Sequence, residues 1–480
     1  MAMSFYNFFT DEQKKNIHEA SLGILEETGM LVKNQEAVEI FKKHGCLTDG
    51  QMVKFPRKLV AEKMASVPPT YTFTAQKPEF DVTLPQARPV IVTGSSAPNI
   101  IDPLTGEERR GTSRDIANIA YLINELPGFD VFSISILADD APPDMRSLYR
   151  FYPALKNCQK PVRSNTPTIA DLEKVLDMGY TIAGSEAAYK ARPFINHHYC
   201  PVISPLTYDV ESTEAVIHLL RKGLPVYGTI VPNAGMTSPM SLLGTLALGN
   251  AEFLSLCFLM QAVRPGAEVI YAVLSTVADM RAGDYAPGAV ETGILQMGHS
   301  EMARFYKVPS GGYIGLTNSQ ANDVQNGYET ALNTAAALLG GADLFNMGGL
   351  LGGLMAFDFA KAVIDNEIAM NLKHLRRGIP YEEKDFCLDL IKKLGPGGSY
   401  MDQPHTAKNM RRITHYPAIG VRGFRSKWLG EGRPTAADQA AALARKILTR
   451  PNPNAFTAEL DKKVRDHIPG LPAGDAVWYD

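Results

Sequence analysis

The segment from Gly312 to Glu329 reads GYIGLTNSQANDVQNGYE and concentrates uncharged hydrogen-bonding side chains after a short β-prone start. It contains Asn318, Gln320 and Asn322 but no lysine or arginine. Amide oxygens carry partial negative charge, so these side chains, together with the ring of Tyr313, suit a cationic ligand that lacks N–H donors. Loop and helix-capping roles are the other interpretation, because Asn322 immediately precedes a predicted helix.

Other polar side chains also follow predicted strands, where a parallel sheet would gather them at one edge. They are Ser95, Ser96, Asn99, Asn165, Thr166, His197, His198, Tyr199, Thr229, Asn233 and Asn346. The strand ends hold few carboxylates and no lysine, which disfavours a Schiff-base aldolase and any reaction that needs a titratable pair. The sequence also lacks HEXXH and the Ser or Cys nucleophile motifs, so neither metal-assisted nor acyl-enzyme hydrolysis is indicated.

Two of these positions have competing interpretations. His197 and His198 are adjacent in a predicted strand, where neighbouring side chains point to opposite faces, so they are not placed to share one metal ion. A histidine packed in the core is an equally good interpretation for each. Asn346 precedes the glycine-rich segment MGGLLGG, for which a tight backbone corner competes with the close approach of a ligand.

Eight β-prone runs alternate with helical runs over residues 89–378. The runs are PVIVTGSS, DVFSISIL, PVRSN, FINHHY, PVYGTIV, EVIYAVLS, SGGYIGL and DLFNMGG. The alternation predicts an α/β protein with a parallel sheet, and eight units is the number that closes a TIM (β/α)8 barrel. A doubly wound open sheet is the alternative, but VTGSSAPN after the first run lacks GxGxxG and GxxxxGK[ST]. We therefore predict a barrel whose functional residues lie at the carboxyl ends of its strands.

The flanking regions differ from this alternating core. Residues 1–88 predict an N-terminal helical segment with short strands at YTFTA and FDVTL, and residues 379–480 predict a C-terminal helical and loop extension that packs on the barrel. The stretch from Met240 to Val263 is long and apolar but is interrupted by Gly, Asn, Glu and Gln. We predict a buried helix there and not a membrane span. The first residues lack the layout of a signal peptide.

Composition and charge exclude several kinds of partner. The 480 residues carry a formal net charge of −3, which gives no electrostatic footprint for nucleic acid or an anionic membrane. The five cysteines lie far apart without CxxC spacing, which indicates reduced thiols in a cytoplasmic protein and no structural zinc. Assembly into a homo-oligomer is left open.

Four stretches carry a resemblance to a known family. They are PNAGMTSPMSLLGTLALGNAEFLSLCFLMQAVRPGAEVIY (Pro232–Tyr271), KVPSGGYIGLTNSQANDVQNGYETALNTAAALLGGADLF (Lys307–Phe345), MGGLLGG and GPGGSYMDQPHTAKNMR (Gly395–Arg411). The order and spacing of these stretches resemble those of the trimethylamine:corrinoid methyltransferase family, in its branch without pyrrolysine. The chain is similar to the glycine betaine:corrinoid methyltransferases. The resemblance extends from the N-terminal helices to about Arg433.

This resemblance implies a TIM barrel that moves a methyl group from an amine to Co(I) of a separate corrinoid protein. It implies that the chain itself holds no metal or other cofactor, because the corrinoid (cobalamin) is supplied by the partner. In the trimethylamine enzymes a pyrrolysine stands at about Ala321, whereas this chain has only ordinary residues there. Its loss favours a quaternary amine, whose neutral leaving group needs no proton and therefore no general acid.

With the resemblance, the residues receive specific expected roles. Asn322, Gln320 and Asn318 are the expected catalytic residues. The expected substrate-binding residues are Tyr313, His198, Tyr199, Phe357 and Asn346, and for Phe357 packing in the core is the competing interpretation. His405, Arg411 and Arg412 are expected to face the corrinoid protein, with a solvated charged surface as the alternative.

The leading hypothesis is a methyltransferase that demethylates glycine betaine to dimethylglycine. The same reaction on proline betaine, carnitine or another betaine is the near alternative. A metal-independent barrel lyase or isomerase and a non-catalytic betaine-binding module are hypotheses from other classes. Demethylation by reduced corrinoid distinguishes the first hypothesis from these two.

Overall fold

A computed structural model describes residues 5–479 and shows a mixed α/β protein. The helices are α1 (Asp11–Gly23), α2 (Gln35–Lys43), α3 (Arg57–Met64), α4 (Ser113–Glu125), α5 (Arg146–Asn157), α6 (Ile169–Ala183), α7 (Glu186–Ala191), α8 (Glu211–Arg221), α9 (Leu242–Val263), α10 (Val290–Tyr306), α11 (Val324–Leu339), α12 (Phe359–Arg376), α13 (Leu388–Leu394), α14 (Pro404–Ile413), α15 (Arg425–Gly430), α16 (Ala436–Leu448) and α17 (Ala458–His467). The predicted α/β class is therefore confirmed.

The strands are short. They are β1 (Met30–Val32), β2 (Leu47–Asp49), β3 (Met52–Lys54), β4 (Tyr71–Phe73), β5 (Val82–Leu84), β6 (Val90–Val92), β7 (Asn99–Ile101), β8 (Glu108–Arg110), β9 (Phe132–Ser133), β10 (Val162–Ser164), β11 (Ile195–Tyr199), β12 (Val202–Ile203), β13 (Thr207–Tyr208), β14 (Val226–Gly228), β15 (Asn233–Ala234), β16 (Thr276–Asp279), β17 (Asp284–Ala286), β18 (Gly311–Tyr313), β19 (Leu344–Asn346), β20 (Leu350–Leu351) and β21 (Ala356–Phe357).

Seven of these strands coincide with seven of the eight predicted β runs, and their pairings are parallel. One sheet has the order β14-β11-β10-β9 and another β18-β19-β6. Isolated parallel bridges join Val92 to Val131, Ile230 to Val273, and Tyr271 to Ser310. The run EVIYAVLS is thus attached by bridges on both sides, although it forms no named strand. Parallel pairing runs from each segment to the next along the chain and from the last back to the first.

Alternation along these strands separates two apolar environments. Side chains such as Val90, Val92 and Leu344 form one buried cluster inside the strands. Phe345 points to the opposite face from its neighbour Leu344 and packs into the large cluster with the helices. The β4–β5 hairpin contributes Tyr71 to the first cluster, together with Phe73 and Leu84. Because the hairpin meets residues near the beginnings of the strands, it covers that end and leaves the carboxyl ends to the loops.

Helix α9 lies in the core. Among residues 5–479 it is the one helix long and apolar enough to cross a membrane, and 78% of its most apolar stretch is buried inside the protein. Its Glu252 accepts hydrogen bonds from Ser204 Oγ and from the backbone N–H of Leu206, both at 2.7 Å. The expectation of a buried helix in this stretch is confirmed.

The C-terminal extension has two parts that differ in burial. Helix α16 packs against α12 and α4, and its Ala440 and Ala444 are buried. By contrast, no residue from 377 to 418 is buried, and large apolar side chains such as Ile379 and Met401 are exposed there. Residues 377–418 therefore contribute no buried side chain to the common core.

Candidate active site

The carboxyl ends of the eight parallel segments, with the loops that follow them, form one face of the protein, named here the strand-end face. Tyr313 and Asn346 end two neighbouring strands on this face and are register partners in the parallel pair β18–β19. Register partners in parallel strands point to the same side of a sheet. The phenol of Tyr313 also lies 3.1 Å from Ser95 Oγ, which follows β6. Three neighbouring segments thus bring polar groups together.

Asn346 contributes an unsatisfied oxygen to this group. The residue is 2% exposed, and its Oδ1 is buried without a hydrogen-bond partner among the described residues. Buried amide oxygens in proteins nearly always have a partner. An amide oxygen left free beside a tyrosine ring is a suitable place for a ligand that offers positive charge and no N–H donor.

Tyr285 extends the aromatic surface and was missed by the sequence analysis. It lies in β17, on the loop after the sixth segment, and is partly exposed. Burial raises the pKa of its phenol, and Tyr313 raises it further, so the hydroxyl of Tyr285 stays protonated. The only signal in the sequence is an aromatic residue in the segment RAGDYAPG, whose glycine and proline residues are typical of a turn.

The adjacent histidines lie on opposite faces of β11, as predicted. His198 stacks on Tyr227 with ring centroids 5.9 Å apart and an interplanar angle of 26°. Burial, followed by the charges of Arg163 and Arg150, holds the pKa of His198 well below its usual value. His197 instead lies near Phe151 on the helical side, and burial lowers its pKa to about 3. Both imidazoles are therefore neutral at physiological pH.

Arg163 on β10 is a second residue that the sequence analysis missed. Its side chain is wholly buried, and its Nε donates to Ser133 Oγ at 3.2 Å. Burial lowers the pKa of the guanidinium to about 10. The arginine remains charged at neutral pH in this buried position. The run PVRSN showed an arginine within a predicted strand, but residue type alone favours an exposed position for it.

The amide loop after β18 satisfies most of its polar groups internally. Asn318 Oδ1 accepts from the backbone N–H of Gly288 and its Nδ2 donates to the carbonyl of Tyr285, both at 2.9 Å. Asn318 therefore fixes the loop that carries Tyr285. Gln320 is exposed, and its Nε2 donates to the Asn318 carbonyl at 3.1 Å.

Asn322 links this loop to the next helix. Its Nδ2 donates to Asp358 Oδ1 at 3.0 Å, and its Oδ1 accepts from Asn326 Nδ2 at 3.2 Å. Asp358 is the N-cap of α12, and Asp323 is the N-cap of α11. The geometry of Asn318 and Asn322 agrees with the capping and loop interpretation, and a direct catalytic role for the three amides stays a prediction.

The chain matches the profile of the trimethylamine methyltransferase (MTTB) family over residues 2–470. It belongs to this methyltransferase family. The chain is 32% identical to the glycine betaine methyltransferase of Desulfitobacterium hafniense strain Y51 over 466 residues, which cover 96% of each protein. It is 30% identical to the trimethylamine methyltransferase MttB of Desulfitobacterium hafniense strain DSM 10664 / DCB-2 over 462 residues, which cover 96% of this chain and 93% of that one.

The family resemblance seen in the sequence is thus confirmed. Among solved structures, this family member matches the Methanosarcina barkeri monomethylamine methyltransferase MtmB. The TM-score is 0.49 at 12% identity, with 90% of this chain and 91% of that chain covered.

Two of the expected substrate-binding residues in this methyltransferase family member are occupied by contacts within the chain. Tyr199 points to the other face of β11 from His198, and its hydroxyl lies 2.9 Å from Thr166 Oγ1. Phe357 is wholly buried and packs edge-to-face on Phe359, with ring centroids 5.5 Å apart. The structure favours packing roles for both rings, because neither presents a free surface to a ligand.

The three residues expected to face a partner lie on α14, far from the strand-end face. The N-terminal end of α12 lies beside Asn322, whereas at its other end Arg377 Nη1 donates to the Arg412 carbonyl at 2.6 Å. A helix of 18 residues is about 27 Å long. His405 and Arg411 share α14 with Arg412 and are exposed. Within one chain, this position does not favour contact with a protein docked over Tyr313, and a partner-facing role for the three residues stays a prediction.

Proposed function

We propose that this family member transfers a methyl group from a quaternary amine, with glycine betaine as the leading substrate, to Co(I) of a separate corrinoid protein in the cytoplasm. The observation that carries the proposal is the unsatisfied Asn346 oxygen beside Tyr313 on the strand-end face. The similarity to a relative named as a glycine betaine methyltransferase supports this choice of substrate.

The proposal includes a (β/α)8 barrel formed by residues 89–378. Its support is the unbroken order of parallel pairs and bridges that leads from β6 through the chain and back to β6. In such barrels the catalytic residues lie at the carboxyl ends of the strands. The plugging of the opposite end by the β4–β5 hairpin agrees with that orientation.

The binding step that we propose needs aromatic faces and oxygens. A quaternary ammonium group has no N–H to donate, so it is stabilised by ring faces and by partial negative charge. Tyr313 supplies an aromatic ring, Tyr285 supplies a second aromatic side chain on a strand-end loop, and Asn346 supplies an amide oxygen without a hydrogen-bond partner among the described residues. Asn318 acts as a positioning residue, because it holds the backbone on both sides of Ala286.

The chemical step that we propose needs no acid from the chain. Displacement of a neutral tertiary amine requires no proton, and His198 is kept neutral by its burial. The reduced corrinoid of the partner protein supplies the nucleophile that accepts the methyl group. The residues of this chain bind the ammonium group and orient one of its methyl groups outward, so the corrinoid protein must dock on the strand-end face.

A spectroscopic assay tests this function. The purified chain is incubated with Co(I) corrinoid protein and, in turn, glycine betaine, proline betaine, carnitine and trimethylamine, and methylation of the corrinoid is followed by absorbance. We expect turnover with at least one betaine and none with trimethylamine. Turnover with trimethylamine alone, or tight betaine binding without any methylation, would contradict the proposal.

A further inference from the structure

Arg163 has one nitrogen without a hydrogen-bond acceptor among the described residues. Nε donates to Ser133 Oγ, and Nη1 donates to the hydroxyl of Tyr227. Nη2 is buried and has no partner among residues 5–479. The guanidinium also lies over the ring of Tyr227, with 5.7 Å between its Cζ and the ring centroid. One nitrogen of a wholly buried cation is therefore unused.

The charge of Arg163 is also uncompensated within the described chain. Both of its hydrogen-bond partners are neutral hydroxyls, and no Asp or Glu in residues 5–479 forms an ion pair with it. Another buried cation, Lys361, has the carboxylate of Asp365 as its partner. A buried charge without a counter-charge is costly, and ionisable groups with strongly shifted pKa values cluster at functional sites.

Hydrogen bonds connect Arg163 to the end of β6, beside the group around Tyr313. Ser133, which accepts from Arg163 Nε, donates its backbone N–H to Thr93 Oγ1 at 2.9 Å. Thr93 lies between Val92, the register partner of Asn346, and Ser95, which contacts Tyr313.

Burial raises the pKa values of Tyr313 and Cys200, and the positive charge of Arg163 partly opposes the shift in both. Cys200 is exposed at the end of β11, and Tyr313 is partly exposed at the end of β18. Arg163 thus lies within electrostatic reach of residues that face the open end of the strands, and His198 beside it is neutral.

We propose that Arg163 binds the carboxylate of a zwitterionic quaternary amine whose ammonium group lies against Tyr313 and Asn346. This inference rests on the proposed function and assigns its substrate class. One betaine molecule would satisfy both the unpaired Nη2 of Arg163 and the unpaired Oδ1 of Asn346. A simple cation such as tetramethylammonium would leave Arg163 uncompensated and would be repelled by it.

Binding measurements on three ligands of similar shape test this assignment. Glycine betaine carries both charges, choline carries only the cation, and 3,3-dimethylbutanoate carries only the carboxylate. Dissociation constants are measured by calorimetry for the wild-type chain, Arg163→Gln and Arg163→Lys. Loss of a charge-assisted hydrogen bond predicts roughly 10- to 100-fold weaker binding of glycine betaine and 3,3-dimethylbutanoate by Arg163→Gln. Choline binding by Arg163→Gln should be unchanged or stronger. For Arg163→Lys, the affinity for glycine betaine should lie between those of the wild type and Arg163→Gln.

Arg150 provides a matched control. It is also a buried arginine whose partners are all neutral: Ser164 Oγ at 2.8 Å, Ser96 Oγ at 3.2 Å and the Asn165 carbonyl at 3.5 Å. Ser164 adjoins Arg163 on β10 and therefore points to the opposite face of the strand. Arg150→Lys should change the melting temperature without changing the ratio of betaine to choline affinity. If Arg163→Gln does not fold, the same ratio in Arg163→Lys decides the question.

The outcomes separate this inference from the proposed function. Equal losses for betaine and choline in the Arg163 variants, or no loss for betaine, would overturn the carboxylate site even if the chain demethylates betaines. Conversely, carboxylate binding that depends on Arg163 in a chain that methylates no corrinoid would retain the site and reject the function.

Discussion

Tyr313 and Asn346 are register partners at the ends of neighbouring parallel strands, and the amide oxygen of Asn346 has no hydrogen-bond partner among the described residues. Two properties that suit an ammonium ion, a ring and a free oxygen, are therefore placed side by side by backbone pairing alone. Strands hold such side chains in more precise positions than loops do. Of the candidate residues, this pair has the most direct structural support.

Replacing Tyr313 with leucine is therefore expected to weaken the binding of a cationic ligand selectively. A cation–π contact contributes about 0.5–2 kcal/mol, so the ratio of choline affinity to that of its neutral isostere 3,3-dimethylbutanol should fall by roughly 2- to 30-fold. Tyr313→Phe keeps the ring and should keep most of the ratio. An unchanged ratio in Tyr313→Leu would exclude an aromatic contact at this position.

The Asn322→Ala variant tests whether Asn322 has a structural or a catalytic role. Because Asn322 donates to Asp358, the N-cap of α12, its loss should lower the free energy of unfolding by about 0.5–1.5 kcal/mol. Urea unfolding gives this value, and methyl transfer by the folded variant gives the activity. A structural role predicts activity within a few-fold of the wild type. A loss of activity of 100-fold or more in a variant of normal stability would restore the catalytic role predicted from the sequence.

The sequence predicted the order of the fold well because β-prone runs and helical runs alternate with clear punctuation. The run EVIYAVLS was predicted in the correct place, but it pairs only through isolated bridges at Tyr271 and Val273. Strand regularity depends on neighbours on both sides, which the run itself does not encode. The β4–β5 hairpin was predicted as two strands, but its packing against the strand beginnings depends on tertiary contacts.

The candidate site was only partly predictable, for reasons that particular residues illustrate. Asn318 has the composition of a ligand-binding amide, yet both ends of its side chain are used by Tyr285 and Gly288 from another loop. That loop is distant in sequence, so no local pattern shows the pairing. Arg163 was missed for the opposite reason, because a charged residue in a strand is ordinarily assigned to the surface.

The buried Glu252 on α9 predicts a pH dependence of stability. Burial raises the pKa of this carboxyl from 4.5 to about 7, although hydrogen bonds from Leu206 and Ser204 oppose the shift. The folded state then binds more protons than the unfolded state between these two values. Stability from this group is fully present below about pH 4.5 and is lost as the pH rises through 7, by about 3 kcal/mol in total.

Glu252→Gln should remove this dependence while keeping acceptor and donor groups in place. Its free energy of unfolding, measured in urea at pH 5 and pH 8, should differ less between the two values than that of the wild type. Relative to the wild type, the variant should therefore gain stability at pH 8. Parallel pH profiles for the two proteins would show that Glu252 does not titrate in this range.

The position of α14 leads to a prediction about the corrinoid protein. Arg411 is exposed next to Arg412, whose carbonyl contacts the end of α12 opposite to Asn322. A protein docked over the strand ends would be separated from Arg411 by the length of that helix. We therefore expect Arg411→Gln to leave the apparent KM for the corrinoid protein unchanged at several salt concentrations. Met236 is exposed on the loop after β15. The Met236→Glu variant should raise the apparent KM for the corrinoid protein. A rise with Arg411→Gln but not with Met236→Glu would place the docking surface on α14, either in the same chain or in a neighbouring copy.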